Sequence, residues 1–204
     1  MSDGEWVQGT ALAFDDTSKY WVSGNDGQFK GLDDLSGEAV VAYDEENIYL
    51  GIKVIDDTFY CVNANNGIWA DDSVQCSFAY NYLNGEPDTT VRTEFGIALT
   101  PEGEQVYTYS VEDISIAQGR LLIEDFGGEL KIKREGNVTT YELKMPLVCL
   151  FQRSAKVGPG YRVAFTMAVN DNDGNDRKGA ALIADGIVGL KNIELFTFLQ
   201  FMEK

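Results

Sequence analysis

Histidine is absent from this chain of 204 residues. Its absence removes the Ser-His and Cys-His nucleophile pairs and the usual His-based zinc and haem ligand sets. An enzyme built on this sequence would have to work with carboxylates, Lys, Tyr or Cys. Cysteine is scarce. Cys61, Cys76 and Cys149 lie in apolar, strand-like runs without CxxC spacing, which points to core thiols rather than a zinc site or a disulfide framework, with a bridge between Cys61 and Cys76 left open. Positive charge is scarce too: 16 Lys and Arg stand against 33 Asp and Glu, a formal net charge of −17. Such a surface repels nucleic-acid backbones and anionic membranes, so neither is an expected partner. No apolar run approaches the roughly 20 residues of a membrane-spanning helix, and Met1 leads into SDGEW without the basic and apolar leader of a signal peptide.

The sequence is rich in alternation. Ile48, Leu50, Ile52 and Val54 recur at period two after the turn DEEN at 44–47, which follows AVVAY at 39–43 and predicts a half-buried hairpin. Further strands are expected around Val74, Cys76 and Phe78, around Phe95, Ile97 and Leu99 up to the turn PEG, and at 105–109. Leu130 and Ile132 should pair across EGN with 138–143, ended by Pro146, with one helical turn at 147–151. Val163, Phe165, Met167 and Val169 form one strand face; Ala164, Thr166 and Ala168 form a second, small enough to admit a close layer or a ligand. The apolar run 195–201 reads as a central strand. With 44% hydrophobic residues, a sizeable core can form. The expected fold is all-β: one antiparallel β-sandwich domain over 1–204, of the jelly-roll or Ig-like two-sheet kind.

Two segments stand out chemically. In GIWADDSVQCSF, Trp69 enters a strand amid Asn65, Asn66, Asp71 and Gln75. In AVNDNDGNDRKG, a strand runs into a loop bearing Asn170, Asp171, Asn172, Asp173, Asp176 and Arg177. An indole face beside carboxylates and amides suits a sugar ring, whose C–H faces stack while its hydroxyls need polar partners. The acidic doublets and the DND spacing also suit Ca²⁺, although the terminal Glu of an EF-hand is missing. Asp171 or Asp173 paired with Arg177 is the alternative use of that loop. Tyr80 and Tyr82 in YNYLNG offer a second aromatic strip. No carboxylate spacing singles out a glycosidase acid and base, so an enzyme is not expected.

The succession YWVSGNDGQFKGLDDLSGEAVVAYDEENIYLGIKVIDDTFY, IWADDSVQ, EF with PEG, YELKMP and VNDNDGNDRKG, over about residues 10–200, resembles the family 9 carbohydrate-binding modules, part of the DOMON-like sugar-binding β-sandwiches. The resemblance implies a non-catalytic module of a larger, multimodular secreted bacterial protein, extracellular or at the cell surface. It further implies binding of plant-type polysaccharide or oligosaccharide of the β-glucan or xylan class, and structural Ca²⁺. Trp69 matches the first of two tryptophans that hold the sugar in this family; Ile183 falls at the expected second, and Gln75 stands where the family often has Glu. The sugar-binding residues implied are therefore Trp69, Gln75, Asn170, Asn172 and Arg177, with Tyr80 and Tyr82 on a separate face. The expected calcium ligands lie among Asp33, Asp34, Asp44, Asp171 and Asp173. The alternative is a calcium-stabilised structural or adhesive domain of a larger extracellular protein, its sugar site degenerate.

Overall fold

The structure is a computed structural model that describes residues 10–15, 18–22, 29–80, 91–113, 115–152, 155, 157–174, 176–189 and 191–203. Tyr82 lies outside these residues. Within them the strands are β1 (Thr10–Phe14), β2 (Lys19–Val22), β3 (Leu35–Tyr43), β4 (Asn47–Asp56), β5 (Ser73–Ala79), β6 (Thr93–Thr100), β7 (Gly103–Ser110), β8 (Gly119–Arg120), β9 (Glu129–Glu135), β10 (Val138–Pro146), β11 (Arg162–Asp171), β12 (Gly179–Leu182) and β13 (Thr197–Gln200). The helix α1 is the single turn Leu147–Leu150 after Pro146. One sheet runs β1-β3-β4-β10-β9, the other β2-β12-β11-β5-β6-β7-β8, with β13 beside the start of β11. The strands pair antiparallel throughout, giving the expected two-sheet sandwich.

Period-two patterning explains which side chains meet between the sheets. Ile48, Leu50, Ile52 and Val54 of β4, with Tyr141, Leu143 and Met145 of β10, are buried against Val74, Cys76 and Phe78 of β5 and Val163, Phe165, Met167 and Val169 of β11. The Phe78 ring lies 4.9 Å from Phe165, 6.1 Å from Phe151 and 6.3 Å from Phe95, the aromatic centre of the core. All three cysteines are free thiols, Cys76 and Cys149 buried and Cys61 half-buried.

The second face of β11 is covered rather than open. Thr166 Oγ1 donates to Ala184 O at 2.6 Å, while Ala168 packs with Ala180, Leu182 and Ile187, and Ala164 with Ala79 and Ile193. Small side chains on this face let residues 183–189 and 191–196 lie close, which hangs a loop on the outside of the larger sheet.

Three expectations are corrected. The run 195–201 yields only the four-residue β13, an edge strand whose Phe198 is 53% exposed, because β12 and β13 share the outer side of β11. Tyr80 is a core residue packed against Phe151 and Tyr161, so it cannot present an open aromatic strip. Asp44 caps the β3–β4 turn. Its Oδ1 accepts from the N–H groups of Glu46 and Asn47 at 2.8 and 2.7 Å, and its Oδ2 from Tyr49 at 2.6 Å. These bonds hold the Asp44 carboxyl below its ordinary range although burial opposes them. It stands at the far end of β3 from Asp34, about 30 Å away at strand rise, and belongs to no shared cation site with it.

Candidate functional site

The strand parity that sends Val74, Cys76 and Phe95 into the core sends Gln75 and Glu94 to the opposite face of the larger sheet. There they floor a cleft of ≈ 370 Å³, within the size range of small-molecule sites. Trp69 stands on one side, at the end of the 3-10 turn Asn65–Ala70. Ile187, Val188 and Gly189 of the hung loop form another wall. Arg92, Tyr109, Arg177 and Lys191 complete the polar lining.

Trp69 is 42% exposed, whereas its neighbour Ile68 is fully buried and anchors the turn. Arg177, only 8% exposed, places its guanidinium carbon 5.8 Å from the indole centroid and supports the ring from the protein side. Burial brings the Arg177 pKa down to about 10, so it stays charged at neutral pH. The buried Glu94 carboxylate accepts from Lys191 Nζ at 2.5 Å, Arg92 Nε at 3.3 Å and Gln75 Nε2 at 3.4 Å. Tyr109 packs over Gly96, where an added Cβ would sit 3.1 Å from Ile68 Cδ1 and 3.2 Å from the tyrosine ring. Its buried hydroxyl lies near the Trp69 backbone amide without completing a hydrogen bond of normal geometry.

Of the expected sugar residues, Trp69, Gln75 and Arg177 line the cleft. Asn170 lies beneath it, donating to Ser73 Oγ at 2.9 Å and Gln75 Oε1 at 3.2 Å and accepting from Arg177 Nη2. Asn172 is a staple instead of a ligand group. Its side-chain amide donates to Ala70 O and Asp71 Oδ1 and accepts from Gly174 N–H, and its backbone N–H donates to Asp72 Oδ1, which occupies the amide within the fold. Asp71 in turn accepts from the N–H groups of Val62 and Asn63. The loop that carries Trp69 is thus fixed from β11. Ile183 packs on the core and does not face Trp69; that wall is aliphatic, formed at 187–189. Arg92, Glu94, Tyr109 and Lys191 escaped the sequence reading. Glu94 carried one signal, a lone acid on the strand face it shares with Gly96 and Ala98.

A second cluster lies at the start of β3 and the ends of β4 and β11. Carboxylate oxygens of Asp34, Asp57 and Asp173 fall within 4.8 Å of one another. Lys178 Nζ lies 2.6 Å from Asp34, 3.0 Å from Asp173 and 3.3 Å from Asp171, and Lys30 Nζ 3.1 Å from Asp173. The cation on Asp171 and Asp173 is therefore Lys178, where Arg177 was expected. Burial works against the Lys178 charge, but Asp34 and Asp173 raise its pKa overall. Asp171 Oδ1 and Asp173 Oδ1 are buried with no hydrogen-bond partner among the described residues. Asp33 is exposed and outside the group.

Asp72 behaves differently. Burial, with Asp56 nearby, pushes its carboxyl up to about 9, so it folds protonated at neutral pH. A raised acid pKa means the native state holds the extra proton, so this group's contribution is full below about pH 4 and is lost as pH rises toward 9. Asp72→Asn should accordingly flatten the stability profile between about pH 5 and 9. Urea midpoints across that range in chelator-treated buffer check it; parallel slopes for both proteins would mean Asp72 folds ionised.

Fold and cleft together define a two-sheet β-sandwich with a mixed aromatic and polar cleft on the outside of one sheet. The chain belongs to the carbohydrate family 9 binding domain-like family, whose pattern it matches over residues 3–187, and is a carbohydrate-binding-module domain. Among curated proteins no significant sequence relative is found. Among solved structures it is similar to a family 9 carbohydrate-binding module from Caldicellulosiruptor kristjanssonii, in complexes with glucose and with cellotriose. Both show a TM-score of 0.70 and 15% identity, covering 100% of this chain and 90% and 88% of the other. A carbohydrate-binding protein of Bacteroides uniformis, so described only as a candidate, is more distant, with a TM-score of 0.58 and 13% identity over 90% of this chain and 86% of that one.

Proposed function

We propose that the cleft binds β-linked gluco- or xylo-oligosaccharides, with Trp69 stacking on a pyranose and Gln75, Arg92, Glu94 and Lys191 bonding its hydroxyls. The observation that carries this reading is a tryptophan 42% exposed at the edge of a cleft whose floor is polar and buried. The glucose and cellotriose complexes of the C. kristjanssonii module support the ligand class. The domain would serve as a non-catalytic, extracellular part of a larger protein.

A structural Ca²⁺ is proposed at Asp34, Asp57 and Asp173. The donor set fits: hard carboxylate oxygens converge, and the orphaned Oδ1 atoms of Asp171 and Asp173 need a cation or donor. Four carboxylates, Asp34, Asp57, Asp171 and Asp173, stand against the ammoniums of Lys30 and Lys178, and the two negative charges left over match one divalent ion. Chelation should lower the melting temperature of the wild type and leave Asp57→Asn nearly unchanged. Equal response in both would place the metal elsewhere; no response in the wild type would remove it.

The aliphatic wall at 187–189 favours one second reading, a calcium-stabilised structural or adhesive domain whose sugar site is degenerate, since a sugar would stack on one ring only. A glycan array of cello-, xylo-, manno- and mixed-linkage oligosaccharides, run with Ca²⁺ and then with chelator, separates the two. Saturable binding supports the module; silence with a chelator-sensitive melting temperature supports the structural domain.

A further inference from the structure

The cleft runs against the charge of the protein that carries it. In a chain of net charge −17, its lining holds Arg92, Arg177 and Lys191 against the single carboxylate of Glu94, a surplus of two positive charges. The one carboxylate is already committed. Glu94 is 2% exposed and bridges Lys191 Nζ at 2.5 Å and Arg92 Nε at 3.3 Å, which draws these two cations around one point of the floor. Donor capacity remains on both. Arg92 gives only Nε to Glu94, and its two terminal nitrogens have no other partner among the described residues. Lys191 has a third ammonium hydrogen beyond those given to Glu94 and Ile187 O.

A neutral sugar seated here would strip water from surplus cations and return only hydroxyl dipoles. A carboxylate or sulfate would return charge-assisted bonds, and the guanidinium fork of Arg92 suits a planar carboxylate. We propose that this cleft selects sugars bearing an anionic group, a uronate carboxylate or a sulfate ester, over their neutral counterparts. The inference rests on the cleft being a sugar site. The acidic surface elsewhere repels an anion, but at physiological ionic strength charges beyond about 8 Å are largely screened, so the local surplus decides.

The test uses three probes with one ring and different C6 groups: glucose, glucuronate and glucose 6-sulfate, titrated by calorimetry or ligand-observed NMR at constant physiological salt, with cellotriose as a reference. At least one anion should bind about tenfold more tightly than glucose. The ratio should collapse toward unity in Arg92→Gln and Lys191→Gln. Which anion wins identifies carboxylate or sulfate as the source. Glucose bound as well as both anions, or a ratio unmoved in both variants, overturns the inference and leaves the sugar-site reading standing. Failure of all four probes overturns both. If a variant does not fold, the wild-type ratio decides alone.

Discussion

Replacing Trp69 by Ala is expected to weaken oligosaccharide binding at least about 30-fold, roughly 2 kcal/mol, while unfolding free energy changes by about 0.5 kcal/mol or less. The two effects separate because the turn Asn65–Ala70 assigns its neighbouring residues different tasks. Ile68 is fully buried and holds the turn to the sheet, whereas Trp69 keeps 42% of its surface in solvent. The backbone around it is fixed independently, by Asn172 on Ala70 O and by Asp71 on the N–H groups of Val62 and Asn63. What the substitution removes is an indole face held by the Arg177 guanidinium. Calorimetric titration with cellotriose, beside urea denaturation, checks both halves. Undiminished affinity would move the ligand off this face of the sheet.

Gly186→Ala should have the opposite profile, losing stability and binding together. Gly186 has φ +92, and a Cβ there would lie 2.1 Å from Asn192 O and 3.0 Å from the Phe196 ring. The backbone atom cannot yield cheaply, since Asn192 N–H donates back to Gly186 O at 3.0 Å. Strain and clash together should cost about 2–4 kcal/mol and displace the wall at 187–189. Gly103→Ala is the control: φ is +103, yet nothing lies within 4 Å of the added carbon, so it carries the backbone strain without the clash. Denaturation midpoints for both variants isolate the packing contribution; matching losses would show that the Gly186 contact relaxes freely.

Strand periodicity made the hairpin β3–β4, the β9–β10 pair and the stop at Pro146 legible, because a period-two pattern is local and the core enforces it. Trp69, Gln75 and Arg177 were legible for a related reason: Trp69 and Arg177 sit in polar runs at the ends of apolar strands, and Gln75 is an amide within the strand that follows Trp69. Arg92, Glu94 and Lys191 were not. They meet only once β6 has paired with β5 and Lys191 has been brought back over the sheet, and no short-range pattern encodes that meeting. The acidic cluster shows the same limit. Asp33 and Asp34 are adjacent in sequence, but the strand start buries Asp34 and leaves Asp33 in water, while Asp57 arrives from another strand end. The run 195–201 misled because hydropathy alone does not distinguish a central strand from an apolar edge.

The small side chains of Ala164, Thr166 and Ala168 have a consequence for how this molecule can change. They let one wall of the cleft be an added layer, seated on the sheet through apolar side chains such as Ile187 and Ile193, whereas the tryptophan side is tied into strand ends by buried carboxylates and amides. Ile187 is the anchor, buried with Ala168, Ala180 and Leu182, so the position open to exchange, for an aromatic or for a charge, is the half-buried Val188, with the acidic cluster undisturbed. The sheet and the tryptophan turn are a durable mount, and the outer wall is where ligand choice can be retuned one side chain at a time.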